Sequence, residues 1–277
     1  MYKRILTVQD ISCVGQCSLT VALPILSACG LETCIIPSAV LSTHTYGFKG
    51  YTFCDLTDEI EPIMKHWMSE NIKFDAIYTG YLGSTRQIAL VKELFANVGA
   101  DGFCKIVDPA MADNGKLYTG FDMEFVGEMK KLCGSADIIL PNITEAALMC
   151  GTEYRENYDE AYVVRLCEAL TDAGAKTVVL TGVGYTPDTT GVVVYGGGKL
   201  EYYCHKKISK GCHGTGDVFA SAFTGAYMQG KSVYDSAKIA ADYTVACIEN
   251  TISDGSHWYG VKFEPLLGEL AKKVSEN

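Results

Sequence analysis

Two patterns of hydrophobic and polar positions alternate along most of the chain, one typical of strands and the other of helices. Short apolar runs bounded by polar or glycine residues, such as RILTVQ (4–9) and FDAIYTG (74–80), are typical of buried strands. Other segments carry apolar residues three or four apart, as in STRQIALVKELFANVG (84–99), where Ile88 and Val91 share one helical face. The pattern therefore predicts strands and helices in alternation.

The same criteria predict the remaining elements of the chain. Further strands are predicted at 31–37, 103–110 and 176–182, a strand, turn and helix at 136–151, a hairpin at 190–204, and helices at 15–30 (with Pro24 inside it), 56–71, 160–174, 232–251 and from about Phe263. Such alternation indicates an α/β fold with a mostly parallel central sheet and helices on both faces. No linker or composition break divides the chain, so we expect one domain over 1–277.

The composition of the chain limits the classes of partner that it can be expected to bind. The chain has 23 basic and 33 acidic residues, a net charge of −10, which disfavours nucleic-acid binding but leaves a nucleotide substrate open. No apolar run approaches the roughly 20 residues of a membrane span, and MYKRILTVQD is too short for a signal peptide. We expect a cytoplasmic protein with a small-molecule substrate and neither nucleic acid nor membrane as a partner.

The twelve cysteines do not resemble a disulfide scaffold, because most lie inside apolar strand or helix patterns. Two metal-site readings are open: the Cys13/Cys17 pair, and Cys204-His205 with Cys212-His213. Neither has the paired spacing that is usual for structural zinc. Reduced, small, buried thiols are the favoured interpretation.

Polar residues follow the predicted strands, at the end where parallel sheets bind ligands. They are Asp10, Tyr81 after Gly80, Asp108, Asn142 through Glu145, Thr181, and the turn Gly214–Asp217. Their convergence from distant parts of the chain predicts an active site on one rim of the sheet.

The segment KGCHGTGDVFASAF (210–223) places a glycine-rich turn and an acid before a long apolar helix. In one interpretation Asp217 is a helix-terminus acid and the glycines make a tight turn. In the other, the N–H groups of Gly214, Thr215 and Gly216 form a cradle for a phosphoryl group, and Asp217 is a general base. The chain lacks G-x-x-x-x-G-K-[ST], a strand–G-x-G-x-x-G–helix unit and G-x-S-x-G, so P-loop, dinucleotide and serine-hydrolase chemistry are disfavoured.

This segment resembles the anion-hole and catalytic-base region of the ribokinase superfamily, and within it the pyridoxal kinase branch. The similarity runs from near residue 4 to near residue 250. It includes VQDISCVGQCSLTVALPIL, STHTYGFKG (42–50), YTGYLGS (78–84), VDPAMADNGKLYTG (107–120) and LPNITEAALMCG (140–151). The resemblance implies a ribokinase-like fold and a homodimer.

The resemblance also implies roles for the phosphate-side residues. Asp217 would be the catalytic base for a 5′-hydroxymethyl group, and Gly214, Thr215 and Gly216 the anion hole. Asn142, Glu145 and Asp108 would serve the nucleotide, with Glu145 and Asp108 near Mg²⁺ through water, and Thr181 would contact the triphosphate. The alternatives are a helix-capping pair in N-I-T-E, a strand-end acid before Pro109 and a strand-ending threonine.

On the acceptor side, the resemblance implies that Tyr81 stacks on a pyridine ring and that His44 and Thr45 bond its substituents, unless they only shape a turn. Asp10 departs from the family pattern, in which a serine is frequent. If it faces the ring, its carboxylate favours cationic substrates, whereas the alternative is a turn-closing aspartate.

The implied activity is phosphorylation of pyridoxal, pyridoxine or pyridoxamine with ATP and Mg²⁺, with K⁺ as a further cofactor of related kinases. Two alternatives are open. One is a hydroxymethylpyrimidine kinase, whose motif often carries cysteine at the position of Asp217. The other is a protein that binds the vitamer without turnover, for which a retained base has no use.

Overall fold

The computed structural model describes residues 2–208 and 212–276. The strands are β1 (Arg4–Ser12), β2 (Glu32–Leu41), β3 (Phe53–Asp55), β4 (Phe74–Thr79), β5 (Gly99–Val107), β6 (Ala112–Asp113), β7 (Lys116–Leu117), β8 (Ile138–Ile139), β9 (Thr177–Thr181), β10 (Thr189–Gly196) and β11 (Lys199–Lys206). Nine of them form the main sheet in the order β11-β10-β9-β8-β5-β4-β1-β2-β3, and β6 and β7 form a separate hairpin.

The centre of the sheet is parallel. Strands β2, β1, β4, β5, β8 and β9 pair in parallel, while β3 at one edge and β10 and β11 at the other are antiparallel. The α/β fold with a mostly parallel sheet is thus confirmed. The carboxyl ends of the parallel strands lie together at one rim.

Helices cover both faces of this sheet. They are α1 (Leu19–Ala28), α2 (Thr57–Ser69), α3 (Thr85–Asn97), α4 (Met123–Cys133), α5 (Ile143–Cys150), α6 (Glu160–Asp172), α7 (Thr215–Met228), α8 (Val233–Ile252) and α9 (Leu267–Ser275), the last preceded by a 3₁₀ turn (Glu264–Leu266). One hydrophobic core joins α2–α6 to the sheet, and a second joins α1, α7, α8 and α9 to its other face. Within the described residues, no helix is both long and apolar enough to cross a membrane.

Side chains cap five of these helices: α3, α4, α5, α6 and α8. Ser84, Asp122, Asn142, Asp159 and Ser232 each accept a hydrogen bond from a backbone N–H in the first turn of their helix. Such caps satisfy donors that the helix itself leaves free. Helices α1, α2, α7 and α9 have no side-chain cap among the described residues, and α7 is the one of these four whose N-cap is a glycine, Gly214.

Several elements differ from the sequence-based prediction. Strand β3 and helix α4 were not predicted, and β5 begins at Gly99 rather than at residue 103. Helix α1 begins at Leu19 rather than at residue 15, because 13–18 form an irregular turn whose end pairs back onto Ile11. Strand β2 extends past Pro37 to Leu41, where it pairs with β3. The β6–β7 hairpin was not predicted, although its Asn114-Gly115 turn, with φ of 50° and 75°, is a strong hairpin signal.

None of the twelve cysteines forms a disulfide bond within residues 2–208 and 212–276. Four of them, Cys29, Cys133, Cys167 and Cys247, are buried. Among residues 2–208 and 212–276, no three His, Cys, Asp or Glu side chains are grouped as a metal site.

Candidate active site

The turn before α7 requires glycine at position 214. Gly214 has φ of 82°, in the left-handed region that favours glycine. A Cβ atom at this position would lie 2.4 Å from the carbonyl oxygen of Gln16. The turn is therefore packed against the segment that joins β1 to α1.

The first turn of α7 faces open space. Gly216 is exposed, and a Cβ atom added there would meet nothing within 4 Å. The free N–H groups of a helix N-terminus form a site of positive potential for an anion. The geometry around Gly214, Thr215 and Gly216 thus leaves room for a phosphoryl group, as the second interpretation of the motif requires.

Asp217 lies in this first turn with an altered acidity. Burial raises the pKa of its carboxyl to about 7, and the Asp10 carboxylate also raises it, whereas a hydrogen bond from the Ser18 N–H lowers it. A base with a pKa near the operating pH is well suited to proton transfer. Asp217 is therefore a residue of the helix terminus, and its pKa also suits a general base.

Asp108 and Glu145 form a second acidic group on the rim. Asp108 directly follows β5, and both residues are buried. Burial raises the pKa of Asp108 well above its usual range, and the Glu145 and Asp217 carboxylates raise it further. Burial likewise raises the pKa of Glu145 to about 8.

Glu145 is also a structural residue. Its Oε2 accepts a hydrogen bond from the Asn142 N–H at 2.9 Å, and the Asn142 side chain accepts one from the Glu145 N–H at 2.9 Å. This is a capping box at the start of α5. The capping interpretation of N-I-T-E is therefore correct, and it leaves a nucleotide role for these two residues as a prediction.

The unpredicted hairpin holds the same group in place. Glu145 Oε1 accepts hydrogen bonds from the N–H groups of Met111 at 3.1 Å and Ala112 at 3.4 Å, and Asn142 Nδ2 donates to the Ala112 carbonyl at 2.8 Å. Thr181 ends β9 next to Asn142, where its hydroxyl donates to the Pro141 carbonyl at 3.3 Å. Asn142 and Thr181 thus both lie on the rim with their side chains bonded to the backbone.

Asp10 lies within β1 and is buried. Burial raises the pKa of its carboxyl, while hydrogen bonds from the hydroxyls of Ser18 and Ser12 and the nearby His44 lower it. The Ser12 hydroxyl is 3.0 Å from Asp10 Oδ2. Asp10 therefore lies in a strand and near both His44 and Asp217, and its contact with a substrate stays a prediction.

His44 is buried with one ring nitrogen free of hydrogen bonds. Its Nδ1 accepts from the Tyr46 N–H at 3.1 Å, so the neutral ring carries its proton on Nε2. That Nε2 has no hydrogen-bond partner in the described structure. Burial lowers the pKa of His44, although the Tyr259 carbonyl and Asp10 raise it, and Thr45 beside it is exposed.

Tyr81 is half-buried and lies two residues after the end of β4 at Thr79. Its ring packs against Phe121 with centroids 5.5 Å apart. Burial raises the pKa of its hydroxyl to about 12, and Asp10 contributes to this rise. Tyr81 and His44 therefore both lie in the surroundings of Asp10.

Other residues at the site were not assigned from the sequence. Burial of the Tyr118 phenol raises its pKa, as do the surrounding acids Glu145, Asp113, Asp108 and Asp217. His213 packs on Tyr46 directly before Gly214. Tyr118 follows the motif DPAMADNGK and His213 precedes GTGD, so these motifs are the signals that could have identified the two residues. Lys210 and Gly211, which come before His213 in the segment KGCHGTGD, lie outside the described residues.

The rim fits a divalent cation bound with a nucleotide. Mg²⁺ keeps several waters and uses one or two carboxylates plus substrate phosphates, so it needs no cage of three protein ligands. Asp108 and Glu145 offer two such carboxylates, and their raised pKa values reflect a surplus of buried negative charge that a cation would offset.

Residues 23–262 match the model of a protein family described as phosphomethylpyrimidine kinase. The chain belongs to this family. It is thus a kinase of a family that uses ATP and a divalent metal. Its solved structural neighbours are ribokinase-like kinases, as the sequence predicted.

Kinases described with different substrates are similar to this chain. The orthorhombic crystal form, with pyridoxal, of a Bacteroides thetaiotaomicron protein assigned as a phosphomethylpyrimidine kinase has a TM-score of 0.92 and 37% identity, over 98% of this chain and 96% of that one. The pyridoxal kinase of Lactobacillus plantarum has a TM-score of 0.90 and 29% identity, over 98% of both chains. The hydroxymethylpyrimidine/phosphomethylpyrimidine kinase of Bacillus subtilis is 28% identical over 227 residues, 79% of each chain.

Proposed function

We propose that this kinase transfers the γ-phosphoryl group of ATP to the 5′-hydroxymethyl group of a B6 vitamer: pyridoxal, pyridoxine or pyridoxamine. The observation that carries the proposal is the position of Asp217. It combines an uncapped helix start, a pKa near 7 and the nearby Asp10 carboxylate, around which we place the acceptor pocket.

In this mechanism Asp217 accepts the proton of the substrate hydroxyl as the oxygen attacks the γ-phosphorus. The N–H groups of Thr215 and Gly216 face the transferring phosphoryl group and stabilise its negative charge, together with the dipole of α7. Phosphoryl transfer depends mainly on such positioning and charge stabilisation. Asp217 can accept the proton of the substrate hydroxyl only while its own carboxylate is ionised.

Asp108 and Glu145 would hold Mg²⁺ through water, and Asn142 and Thr181 would lie beside the triphosphate. When bound, the cation supplies neutralisation of phosphate charge. The capping box keeps Glu145 in one orientation, so its carboxylate is fixed before the nucleotide arrives.

The acceptor pocket has three features that suit a substituted pyridine. Tyr81 offers a half-buried aromatic surface, and the buried His44 Nε2–H makes no hydrogen bond of good geometry within the described residues, although the Tyr259 carbonyl is near enough to raise the pKa of the ring. Such a donor carries a desolvation cost that a ligand oxygen would remove. Asp10 adds an acceptor that favours a cationic ring nitrogen or aminomethyl group. The similar Bacteroides thetaiotaomicron structure with pyridoxal supports this assignment.

A hydroxymethylpyrimidine or phosphomethylpyrimidine is the second candidate substrate. The description of the family model and the Bacillus subtilis relative favour it. Against it stands Asp217, since that group often carries cysteine at this position. The acceptors share a hydroxymethyl group on a nitrogen heterocycle, so the same base and anion hole would serve either.

The proposal is tested by ADP formation with ATP, Mg²⁺ and each vitamer in turn. We expect vitamer-dependent ADP release by the wild type and its loss in Asp217→Asn. Binding of a vitamer without ADP release would instead support a protein that binds without turnover. A homodimer and a K⁺ requirement stay predictions from the resemblance, and light scattering and a K⁺ titration test them. A cytoplasmic location stays a prediction from the composition.

A further inference from the structure

The turn between β1 and α1, residues 15–18, has an unusual backbone. Gly15, Gln16 and Ser18 have φ of 130°, 52° and 54°. The left-handed region is unfavourable for residues with a side chain, so it persists only where the surroundings hold it. Gln16 and Ser18 therefore need an external restraint.

This turn contacts both parts of the proposed phosphoryl-transfer machinery. The Gln16 carbonyl lies against Gly214, where a Cβ atom would approach to 2.4 Å. The Ser18 N–H donates to the Asp217 carboxylate, and the Ser18 hydroxyl bonds to Asp10. Asp217 and the anion-hole N–H groups belong to the same first turn of α7. The turn at 15–18 therefore bears on where this helix start packs and on the direction of the Asp217 carboxylate.

The Gln16 side chain supplies the restraint. Its Nε2 donates to Glu264 Oε1 at 2.8 Å, and its Oε1 accepts from His257 Nε2 at 3.1 Å. Gly260, with φ of 139°, packs on the same turn, because a Cβ atom there would lie 2.5 Å from the Gly15 carbonyl and 2.8 Å from Gln16 Oε1. Both ends of the amide are thereby tied to the segment before α9.

We propose that Gln16 is a positioning residue for phosphoryl transfer: its amide, held between His257 and Glu264, fixes the turn at 15–18, which packs on Gly214 and orients the Asp217 carboxylate. The inference rests on the function proposed above only in taking Asp217 as the base. It assigns a catalytic contribution to the C-terminal segment 257–264, which lies far from the motif in sequence.

The test uses Gln16→Met, which keeps the length of the side chain but removes both hydrogen bonds. We expect kcat to fall about ten- to a hundredfold with KM for the acceptor within about twofold, because a small displacement of reacting groups costs rate rather than binding. Gln16→Glu should also be slow, since it places two carboxylates together. Adding Glu264→Gln exchanges the two groups, restores the donor–acceptor pair and should recover most of kcat.

Gln229→Met is the matched control, because Gln229 Nε2 donates to the Cys29 carbonyl at 2.7 Å at the far end of α7. It should retain wild-type kinetics. All variants are compared with whichever acceptor the wild type phosphorylates, so a failure of the B6 assignment leaves the comparison intact. A folded Gln16→Met enzyme with wild-type kcat, or no recovery in the exchanged pair, would overturn the inference, and a wild type without any turnover would overturn both proposals.

Discussion

The ring of Tyr46 packs on the imidazole of His213, with their centroids 3.6 Å apart and their planes tilted by 34°, a contact called the Tyr46–His213 stack below. Tyr46 belongs to the segment 42–50, whose backbone holds His44 through the hydrogen bond from the Tyr46 N–H. His213 directly precedes Gly214 of the anion hole. The stack therefore joins the acceptor side of the site to its phosphate side.

Removal of this stack should weaken acceptor binding. Aromatic pairs contribute about 0.5–1.5 kcal/mol, so Tyr46→Ala should raise KM for the acceptor about two- to tenfold. Tyr46→Phe keeps the ring and should have the wild-type KM. Tyr2→Ala removes another exposed tyrosine, 72% accessible, and serves as control. An unchanged KM in Tyr46→Ala, measured by steady-state kinetics, would show that the stack has no part in acceptor binding.

Asp217→Asn should abolish base catalysis while retaining the shape of the side chain. We expect kcat to fall about 10²–10⁴-fold. In the wild type, kcat should decline as pH falls through about 7, where the Asp217 carboxylate becomes protonated. The variant should lack this decline. Near-wild-type turnover by folded Asp217→Asn would exclude Asp217 as the base.

Folding of that variant can be checked by the pH dependence of its stability. Because the folded pKa of Asp217 lies above the unfolded value near 3.9, its contribution is most favourable below about pH 4 and is lost as pH rises to about 7. Wild type relative to Asp217→Asn should therefore lose stability over this range, as measured by thermal unfolding. An Asn variant much less stable at pH 8 than the wild type would indicate a folding defect.

Glu145→Gln should increase the Mg²⁺ concentration needed for half-maximal activity. The change removes one negative charge beside the phosphates and also weakens the capping box, because an amide nitrogen replaces one acceptor of a backbone N–H. Ser232→Ala removes the cap of another helix, α8, without changing any charge. It therefore shows how much the loss of a helix cap alone alters the Mg²⁺ dependence. A Mg²⁺ titration that coincides with the wild type in Glu145→Gln would argue against a metal role.

Asp10→Ser should shift selectivity from pyridoxamine toward pyridoxal. A charge-assisted hydrogen bond to a cationic group contributes about 1.5–3 kcal/mol, or about ten- to a hundredfold in relative kcat/KM. Asp10→Asn keeps the shape and removes the charge, so it should shift selectivity in the same direction. Competition between the two vitamers measures the ratio, and identical ratios in all three proteins would leave Asp10 without a role in discrimination.

The rim of the site could be predicted because its residues follow strands whose apolar patterns are clear. Asp108 follows β5, Thr181 ends β9, and Asp217 lies in the first turn of α7, each within a few residues of the expected boundary. Parallel topology then brings them together. Local pattern was sufficient here because burial on both faces makes these strands recognisable.

The turn at 15–18 could not be predicted, because its conformation is imposed from outside. Nothing in Gln16 or Ser18 favours positive φ, and the contacts that hold Gln16 come from Gly214, His257 and Glu264, about 200–250 positions away along the chain. The Tyr46–His213 stack escaped prediction for the same reason. Long-range contacts determine the parts of the site that local sequence leaves open.

One competition experiment tests the central assignment most directly. Wild-type protein is incubated with limiting ATP, Mg²⁺ and equimolar pyridoxal and hydroxymethylpyrimidine, and the phosphorylated products are quantified by mass spectrometry. Our account predicts that pyridoxal 5′-phosphate exceeds hydroxymethylpyrimidine phosphate by about tenfold or more, because Asp10, His44 and Tyr81 select the pyridine ring. A predominance of hydroxymethylpyrimidine phosphate would contradict it.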